Sequence, residues 1–106
     1  MEMRGQLHEG TSVTEVRGVT VDVSRGGALV LLTENVPADP DNAFMVRFVD
    51  ASGAVIAPEF RWGSVLRSRS RRSDCVVAVK FREPLPHRVL CALMDSELEP
   101  KLRARA

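Results

Sequence analysis

The stretch Val19–Leu32 constrains the fold more than any other part of the chain. Val19, Val21 and Val23 alternate with polar residues, which is the period of a strand with one buried face. The apolar run Ala28–Leu32 is short enough to be the next strand. Because the residues between the two runs are polar and rich in glycine, the stretch predicts two strands joined by a tight corner.

Other segments of the chain carry similar strand patterns and are bounded by turn-forming residues. Gly18 predicts a bulge or bend in the second strand, and Pro58 predicts an edge or a bulge in the fifth. Thr33–Asn42 is expected to be a loop, and Asp50–Gly53 a hairpin turn whose glycine takes a positive φ. The prediction is one all-β domain over residues 1–106, with six strands: Met1–Leu7, Val13–Val23, Ala28–Leu32, Ala43–Val49, Val55–Leu66 and Cys75–Phe81.

A helix is predicted after the last strand, because Pro86 or His87 can begin one and Pro100 ends it. The tail Lys101–Ala106 is expected to fray. The helix has positions at helical spacing that can form one buried stripe: Val89, Leu90, Leu93, Met94, Glu97 and Leu98.

The predicted core takes its residues from the alternating positions of the strands. Trp62 and Phe60 are expected to pack in the core or at a barrel end rather than to stack on a nucleic-acid base. Much of the core is expected to come from Val21, Val23, Leu29, Leu31, Phe44, Val46, Phe48, Val77, Val79 and Phe81.

The chain of 106 residues is long enough for a single modest core. Its composition, 44% hydrophobic and 27% charged, is that of a soluble globular protein. No apolar run approaches the roughly 20 residues that cross a bilayer, and Met1–Gly10 lacks the apolar block of a secretory signal, so a cytoplasmic protein is expected. The net charge of +1 creates no surface-wide field, so neither DNA nor a membrane is an expected partner.

Catalytic and metal sites find little support in the residue spacing. His8 and His87 lie near opposite ends of the chain, without a Ser or Cys nucleophile and a carboxylate at a recognisable spacing. Cys75 and Cys91 fit no zinc spacing and are expected to be small buried hydrophobic residues in a reducing compartment. The sequence therefore predicts no enzyme, no metal and no cofactor.

Arg67–Asp74 is the one charge cluster, with four arginines within six residues, and it is predicted to be a hairpin loop. These arginines could grip a nucleic-acid backbone or another anionic ligand. No aromatic residue interleaves with them and neither flank is basic, so a solvated loop is the favoured interpretation. Arg17 could reach an anion near the corner, although an exposed strand arginine is the favoured interpretation there.

The corner between the second and third strands has the form Asp22-x-Ser24-x-x-Gly27. Asp22 and Ser24 have short side chains that can bond nearby backbone N–H groups. Gly26 and Gly27 permit a positive φ and close approach of the backbone to another group. A tight turn is the simplest interpretation, but the motif and its place between two strands resemble the PilZ family, whose fold is a small six-stranded antiparallel β-barrel followed by a helix.

The resemblance implies a regulatory domain that binds cyclic di-GMP, a bacterial second messenger with two guanine bases and two phosphates. By resemblance, the ligand site comprises Asp22, Ser24, Arg25, Gly26 and Gly27. Asp22 and Ser24 would contact the guanine and phosphate edges, or Asp22 would instead orient ligand-binding arginines.

PilZ domains also use an Arg-x-x-x-Arg pair ahead of the first strand, and no such pair precedes the corner here. Arg4 and His8 have that spacing, with His in the second place, but lie too close to the corner for the role to be carried over. Two missing charge-assisted contacts at roughly 1.5–3 kcal/mol each imply weak binding. The alternative is a PilZ-like adaptor that acts through protein–protein contact without a nucleotide, as in type IV pilus assembly.

Overall fold

A computed structural model describes residues 1–39, 41–50, 52–56, 60–72 and 74–94. Pro58, Glu97, Leu98, Pro100 and Lys101–Ala106, on which some expectations rest, lie outside these residues. The described part contains a helix, α1, over residues 87–94. Its strands are β1 (Glu2–Glu9), β2 (Ser12–Val23), β3 (Gly27–Leu32), β4 (Ala43–Val49), β5 (Arg61–Ser70) and β6 (Cys75–Phe81).

The strands form a closed barrel in the order β1-β2-β3-β6-β5-β4, and β4 pairs with β1 to complete it. Every pairing is antiparallel. The predicted class, an all-β six-stranded antiparallel barrel followed by one C-terminal helix, is therefore confirmed. The seam between β4 and β5 is the shortest described pairing, with only Phe44–Val46 of β4 opposite Arg61–Gly63 of β5.

The core fills the barrel with apolar side chains from every strand. Predicted core residues on β4 and β6 are confirmed as buried, and Val23 is half-buried against them. On β3 the prediction chose the wrong face, because Leu29 and Leu31 are only partly buried while Ala28, Val30 and Leu32 fill the core. Both faces of β3 are apolar, so alternation alone could not select the inner one. The confirmed positions are Phe44, Val46, Phe48, Val77, Val79 and Phe81.

A β-bulge changes the face of β2 at Val21. The register with β3 shifts between Thr20 and Asp22. Thr20 is 8% exposed and Val21 is 57% exposed, and Asp22 is exposed as well. The prediction that Val21 lies in the core is therefore wrong, because the extra residue interrupts the period of two. Gly18 does not mark the bulge; a Cβ there would lie 2.1 Å from Leu31 O, so glycine permits close strand contact.

The predicted hairpin loop Arg67–Asp74 is wrong in part, because β5 continues to Ser70 and contains Arg67 and Arg69. The turn follows the strand: the N–H of Arg71 donates to Asp74 O at 2.8 Å. Arg71 Nε also lies 3.3 Å from Asp74 Oδ1. Two of the clustered arginines therefore have fixed strand positions, and the other two lie at the turn.

A second bulge lies in β5, where the register with β6 shifts between Val65 and Arg67. Val65 is buried at 1% exposure, whereas Leu66 is 52% exposed. The predicted start of the strand at Val55 is also wrong, since Val55 makes only an isolated bridge with Val49. The bulged residues of β2 and β5 are thus exposed apolar side chains.

Helix α1 is the last described element, and it begins at His87, as predicted from Pro86 and His87. Val89 and Leu93 are buried in the same cluster as the barrel residues. Leu90 is half-buried, while Met94 is 54% exposed and does not join the predicted stripe. The helix therefore packs its apolar face on the barrel core.

The turn after β4 is held by Asp50. Its Oδ1 accepts hydrogen bonds from Ser52 Oγ at 2.6 Å, Ser52 N at 2.9 Å and Ala54 N at 3.0 Å. The hydroxyl bond from Ser52, followed by the N–H of Ala54, lowers the pKa of the Asp50 carboxyl below its ordinary value. Gly53 has φ of 87°, which confirms the predicted positive-φ glycine.

Candidate functional site

The corner between β2 and β3 is a tight hairpin turn. The N–H of Ser24 donates to Gly27 O at 2.9 Å, and Ser24 Oγ donates to the same oxygen at 3.3 Å. Ser24, Arg25 and Gly26 are exposed, and Gly27 is half-buried. The structure therefore brings the predicted corner residues together at one end of the barrel, next to the exposed Asp22.

The corner is anchored to the segment that leads from β6 to α1. Gly26 O accepts a hydrogen bond from Phe81 N at 2.9 Å, and Arg25 O accepts one from Leu85 N at 2.7 Å. Arg25 Nε also donates to Leu85 O at 3.1 Å. Leu85 is fully buried, so these bonds fix the turn against the core. A ligand bound here would meet a pre-formed backbone.

Two backbone N–H groups of the corner are available to bind an anion. Within the described ranges, the backbone N–H groups of Arg25 and Gly26 donate to no protein acceptor, although both carbonyl groups are bonded. Both residues are exposed, so water satisfies these donors when no ligand is bound. Neighbouring backbone N–H groups at a turn form a concavity that suits a phosphate oxygen.

The glycines of the corner have a different role from the predicted one. Gly26 and Gly27 are not among the glycines with positive φ, so that expectation is wrong for the described structure. A Cβ at Gly27 would lie 2.2 Å from Val79 O, whereas one at Gly26 would meet nothing within 4 Å. The expected close approach is therefore confirmed at Gly27, and the group approached is the neighbouring strand β6.

One row of outward residues links the corner to β5. Asp22 stands opposite Leu29 of β3, and Leu29 stands opposite Ala78 of β6. Ala78 in turn stands opposite Arg67 of β5. Three strand spacings of about 4.8 Å place Asp22 and Arg67 roughly 14 Å apart along the sheet. Because Val21 and Leu66 precede these two ends, the bulges of β2 and β5 flank the same row.

A groove of about 590 Å³ lies along this outer face, which we call the groove face. Leu29, Val76 and Ala78 line it as apolar residues, with Leu66 beside them. Arg67 and Arg69 also line it and are exposed. The groove therefore combines an apolar floor with cationic side chains, and Asp22 lies next to it across Leu29.

The groove face offers distinct partners for a nucleotide. An apolar floor can receive the face of a purine base. Arg67 and Arg69 can form bidentate bonds with phosphate or with guanine O6 and N7, and Asp22 can accept from a guanine amino group. The sequence interpretation considered both arginines as possible anion ligands but favoured a solvated loop, because it did not assign Arg67 and Arg69 to a strand. Their alternation with Ser68 and Ser70 was the signal for a strand.

Trp62 lies in a surface aromatic cluster near one end of β5 rather than in the buried core. Its ring centroid is 5.0 Å from that of His8 and 6.1 Å from that of Phe60. The Arg82 guanidinium carbon lies 5.7 Å from the Trp62 ring centroid. Phe60 is 44% exposed, so the core is excluded for it and the barrel end remains of the two expected positions. Trp62 already contacts protein groups on several sides.

The two thiols differ in their surroundings, since Cys75 lies in the core and Cys91 lies beside His87 on the surface of α1. Cys75 is buried as predicted, whereas Cys91 is exposed on α1, so its predicted burial is wrong. Cys91 Sγ lies 3.5 Å from His87 Nε2, one helical turn away. Across the described residues, no three His, Cys, Asp or Glu side chains gather to hold a metal. The same residues contain no helix with the length and hydropathy needed to cross a membrane.

No protein-family model matches the sequence, and no curated protein matches it. The resemblance to PilZ domains therefore rests on the corner residues and their position between two strands. Its functional implications are taken up as proposals below.

Proposed function

We propose that this chain is a regulatory domain that resembles PilZ domains and binds cyclic di-GMP weakly on the groove face. The observation that carries the proposal is the row from Asp22 to Arg67, with the free N–H groups of Arg25 and Gly26 at the adjoining corner. The N–H groups and arginines can donate to the phosphates of the ligand, and arginine and aspartate can bond to its guanine edges.

In this arrangement the corner binds one phosphate through its backbone donors. Asp22 accepts from the amino group of one guanine, and that base covers Leu29 and Ala78. Arg67 and Arg69 contact the second phosphate or the O6 and N7 edge of the second guanine. Ser24 maintains the turn through its bond to Gly27 O. The β5 arginines thus supply charge where PilZ domains use the pair ahead of the first strand.

Binding is weak for two physical reasons. Arg67 and Arg69 are exposed, so a phosphate must compete with water for them and each bond contributes less than in a closed site. Both side chains must also lose rotamer freedom on binding. An affinity weaker than micromolar is therefore expected.

Calorimetric titration of cyclic di-GMP into the folded chain tests this proposal. Asp22→Ala should weaken binding, and Ser24→Ala should weaken it through the loosened turn. Asp41→Ala is a matched control, because it also removes an exposed aspartate and lies in the β3–β4 connection, away from the corner. Absence of heat at millimolar ligand, or equal losses in Asp22→Ala and Asp41→Ala, would reject the receptor function.

A second candidate is a PilZ-like adaptor that binds a protein and no nucleotide. The observation in its favour is the exposed apolar character of the groove face, where Val19 is 45%, Val21 57% and Leu66 52% exposed. Large exposed apolar side chains that lie together mark surfaces for protein contact. A chain that gives no heat with cyclic di-GMP, but whose partner binding is lost in Val21→Ser/Leu66→Ser, would act in this second way.

A further inference from the structure

Three arginines form a row on a different outer face of the barrel. β1 pairs with strands on both sides, and Arg4 stands opposite Arg17 of β2 and opposite Arg47 of β4. The neighbours Met3 and Gly5 are buried, which fixes Arg4 on the outer side of β1. All three arginines are exposed. We call Arg4, Arg17 and Arg47 the arginine row.

The row places like charges directly opposite each other, which destabilises a sheet. Arg4 Nε lies 3.9 Å from Glu2 Oε1, and both side chains are about half exposed. Among the described residues, Arg17 and Arg47 have no carboxylate within the 4.0 Å of an ion pair. Within the described residues, acidic groups therefore compensate the positive charge of the row only in part.

The arginine row borders a depression of about 150 Å³. Gln6, Glu15 and Met45 complete much of its lining. Gln6 can donate from its amide to an oxygen anion, while Glu15 stands opposite Gln6 and limits how much negative charge the site accepts. The depression is small, so it suits an anionic group rather than a large organic ligand.

The surrounding surface argues against a nucleic-acid track. Apart from the row, the exposed or half-buried residues of β1 and the facing part of β2 include Glu2, Gln6, His8 and Glu15, and no further Lys or Arg. The net charge of the whole chain is only +1. Binding to a polynucleotide needs a longer basic stripe, because its affinity grows with the number of phosphates contacted.

We propose that the arginine row binds a compact oligophosphate, a ligand with two or more linked phosphate groups. Two strand spacings of about 4.8 Å set the outer arginines roughly 10 Å apart at the backbone. Arginine forms bidentate bonds with phosphate oxygens, so neighbouring arginines can hold successive phosphates of one ligand. This inference does not rest on cyclic di-GMP binding, because the row lies on β2, β1 and β4 and the groove on β3, β6 and β5.

Calorimetric titration of inorganic triphosphate, with inorganic phosphate as the single-anion comparison, tests the inference. Triphosphate should bind, and phosphate should bind at least tenfold more weakly. Arg17→Gln/Arg47→Gln should weaken triphosphate binding at least tenfold. Arg72→Gln/Arg88→Gln removes the same net charge at exposed residues that belong to neither proposed site, and it should leave triphosphate binding within about twofold, since distant exposed charges are largely screened.

A second variant separates geometry from charge. Arg17→Lys/Arg47→Lys keeps the positive charge but loses the bidentate fork, and it should bind triphosphate more weakly than the natural chain. Circular dichroism should show that all variants keep the β-barrel. The inference is overturned by equal losses in the two glutamine variants, by equal affinity for phosphate and triphosphate, or by tighter binding of a single-stranded oligonucleotide than of triphosphate.

Discussion

The groove face and the arginine row are two outer faces of one barrel, and they differ in chemical character. On the groove face, outward residues of β3 and β6 such as Leu29 and Val76 are apolar, and polar groups stand at the two ends. On the other face, Arg17, Arg4 and Arg47 are consecutive outward residues of adjacent strands. All six strands contribute side chains to one apolar core. The groove face and the arginine row therefore differ only in the residues that point outward.

Strand regularity explains part of that difference. β1 pairs with β2 and β4 in continuous register, which keeps the arginines aligned in one line. The groove face instead has bulges on the two strands that flank it, at Val21 and at Leu66. Bulges increase local twist and redirect side chains. The barrel thus presents a straight charged row on one side and a curved groove on the other.

The largest effect is expected at Gly27, where the groove face depends on close packing of β3 against β6. Gly27→Ala would place a Cβ 2.2 Å from Val79 O, and the forced separation should lower the free energy of unfolding by about 1–3 kcal/mol. Urea denaturation measures this change. Gly26→Ala is the neighbouring control: its Cβ meets nothing within 4 Å, so stability should stay equal or rise by about 0.4–1 kcal/mol. Equal destabilisation in both variants would contradict the assigned contact.

A direct comparison of the two faces uses cyclic di-GMP as the probe. Arg67→Gln/Arg69→Gln should reduce its affinity about tenfold, because the two exposed arginines together are expected to contribute about 1.4 kcal/mol, less than one charge-assisted bond in a closed site. Arg17→Gln/Arg47→Gln should change it by less than about twofold at physiological salt. Isothermal calorimetry on both variants decides the matter. A larger loss of affinity in Arg17→Gln/Arg47→Gln would place the nucleotide site at the arginine row instead of the groove face.

The unfavourable charge pairing in the arginine row is expected to be measurable without any ligand. In a double-mutant cycle with Arg4→Gln and Arg47→Gln, the coupling should be repulsive by about 0.2–1 kcal/mol at low salt. It should shrink in 1 M salt, where the screening length is only about 3 Å. A cycle between Arg4 and Arg67, which lie on different faces, should show no coupling. Attraction between Arg4 and Arg47, or no salt dependence, would contradict the repulsion.

Alternation and turn residues along the chain predicted the strands, and the resemblance to PilZ domains predicted that they form a barrel. The predicted buried face was wrong where both faces of a strand are apolar or where a bulge interrupts the alternation. Leu29 and Leu31 were assigned inward because both faces of β3 are apolar, and Val21 was misplaced because no local signal marked its bulge. Packing of the closed barrel, which no single strand encodes, settled both cases.

The candidate site also contains residues that the sequence could identify and residues that it could not. Asp22, Ser24 and Gly27 could be identified from a local motif, and the structure places them at one corner. Arg67 required correct assignment of the end of β5. Arg17 and Arg47 are far apart in sequence and meet only through their pairing with β1. Sites assembled by strand register cannot be found from spacing along the chain.

The smallest expected effect lies at the Asp50 turn, which belongs to neither face. The hydrogen bond from Ser52 Oγ lowers the Asp50 pKa in the folded state. Its contribution to stability is therefore present above the unfolded value of about 3.9 and is lost as pH falls through the lower folded value. Carbon-detected NMR titration should show a depressed pKa that Ser52→Ala raises, while Ser24→Ala leaves it unchanged. An unaltered Asp50 pKa in Ser52→Ala would refute the hydroxyl as the cause.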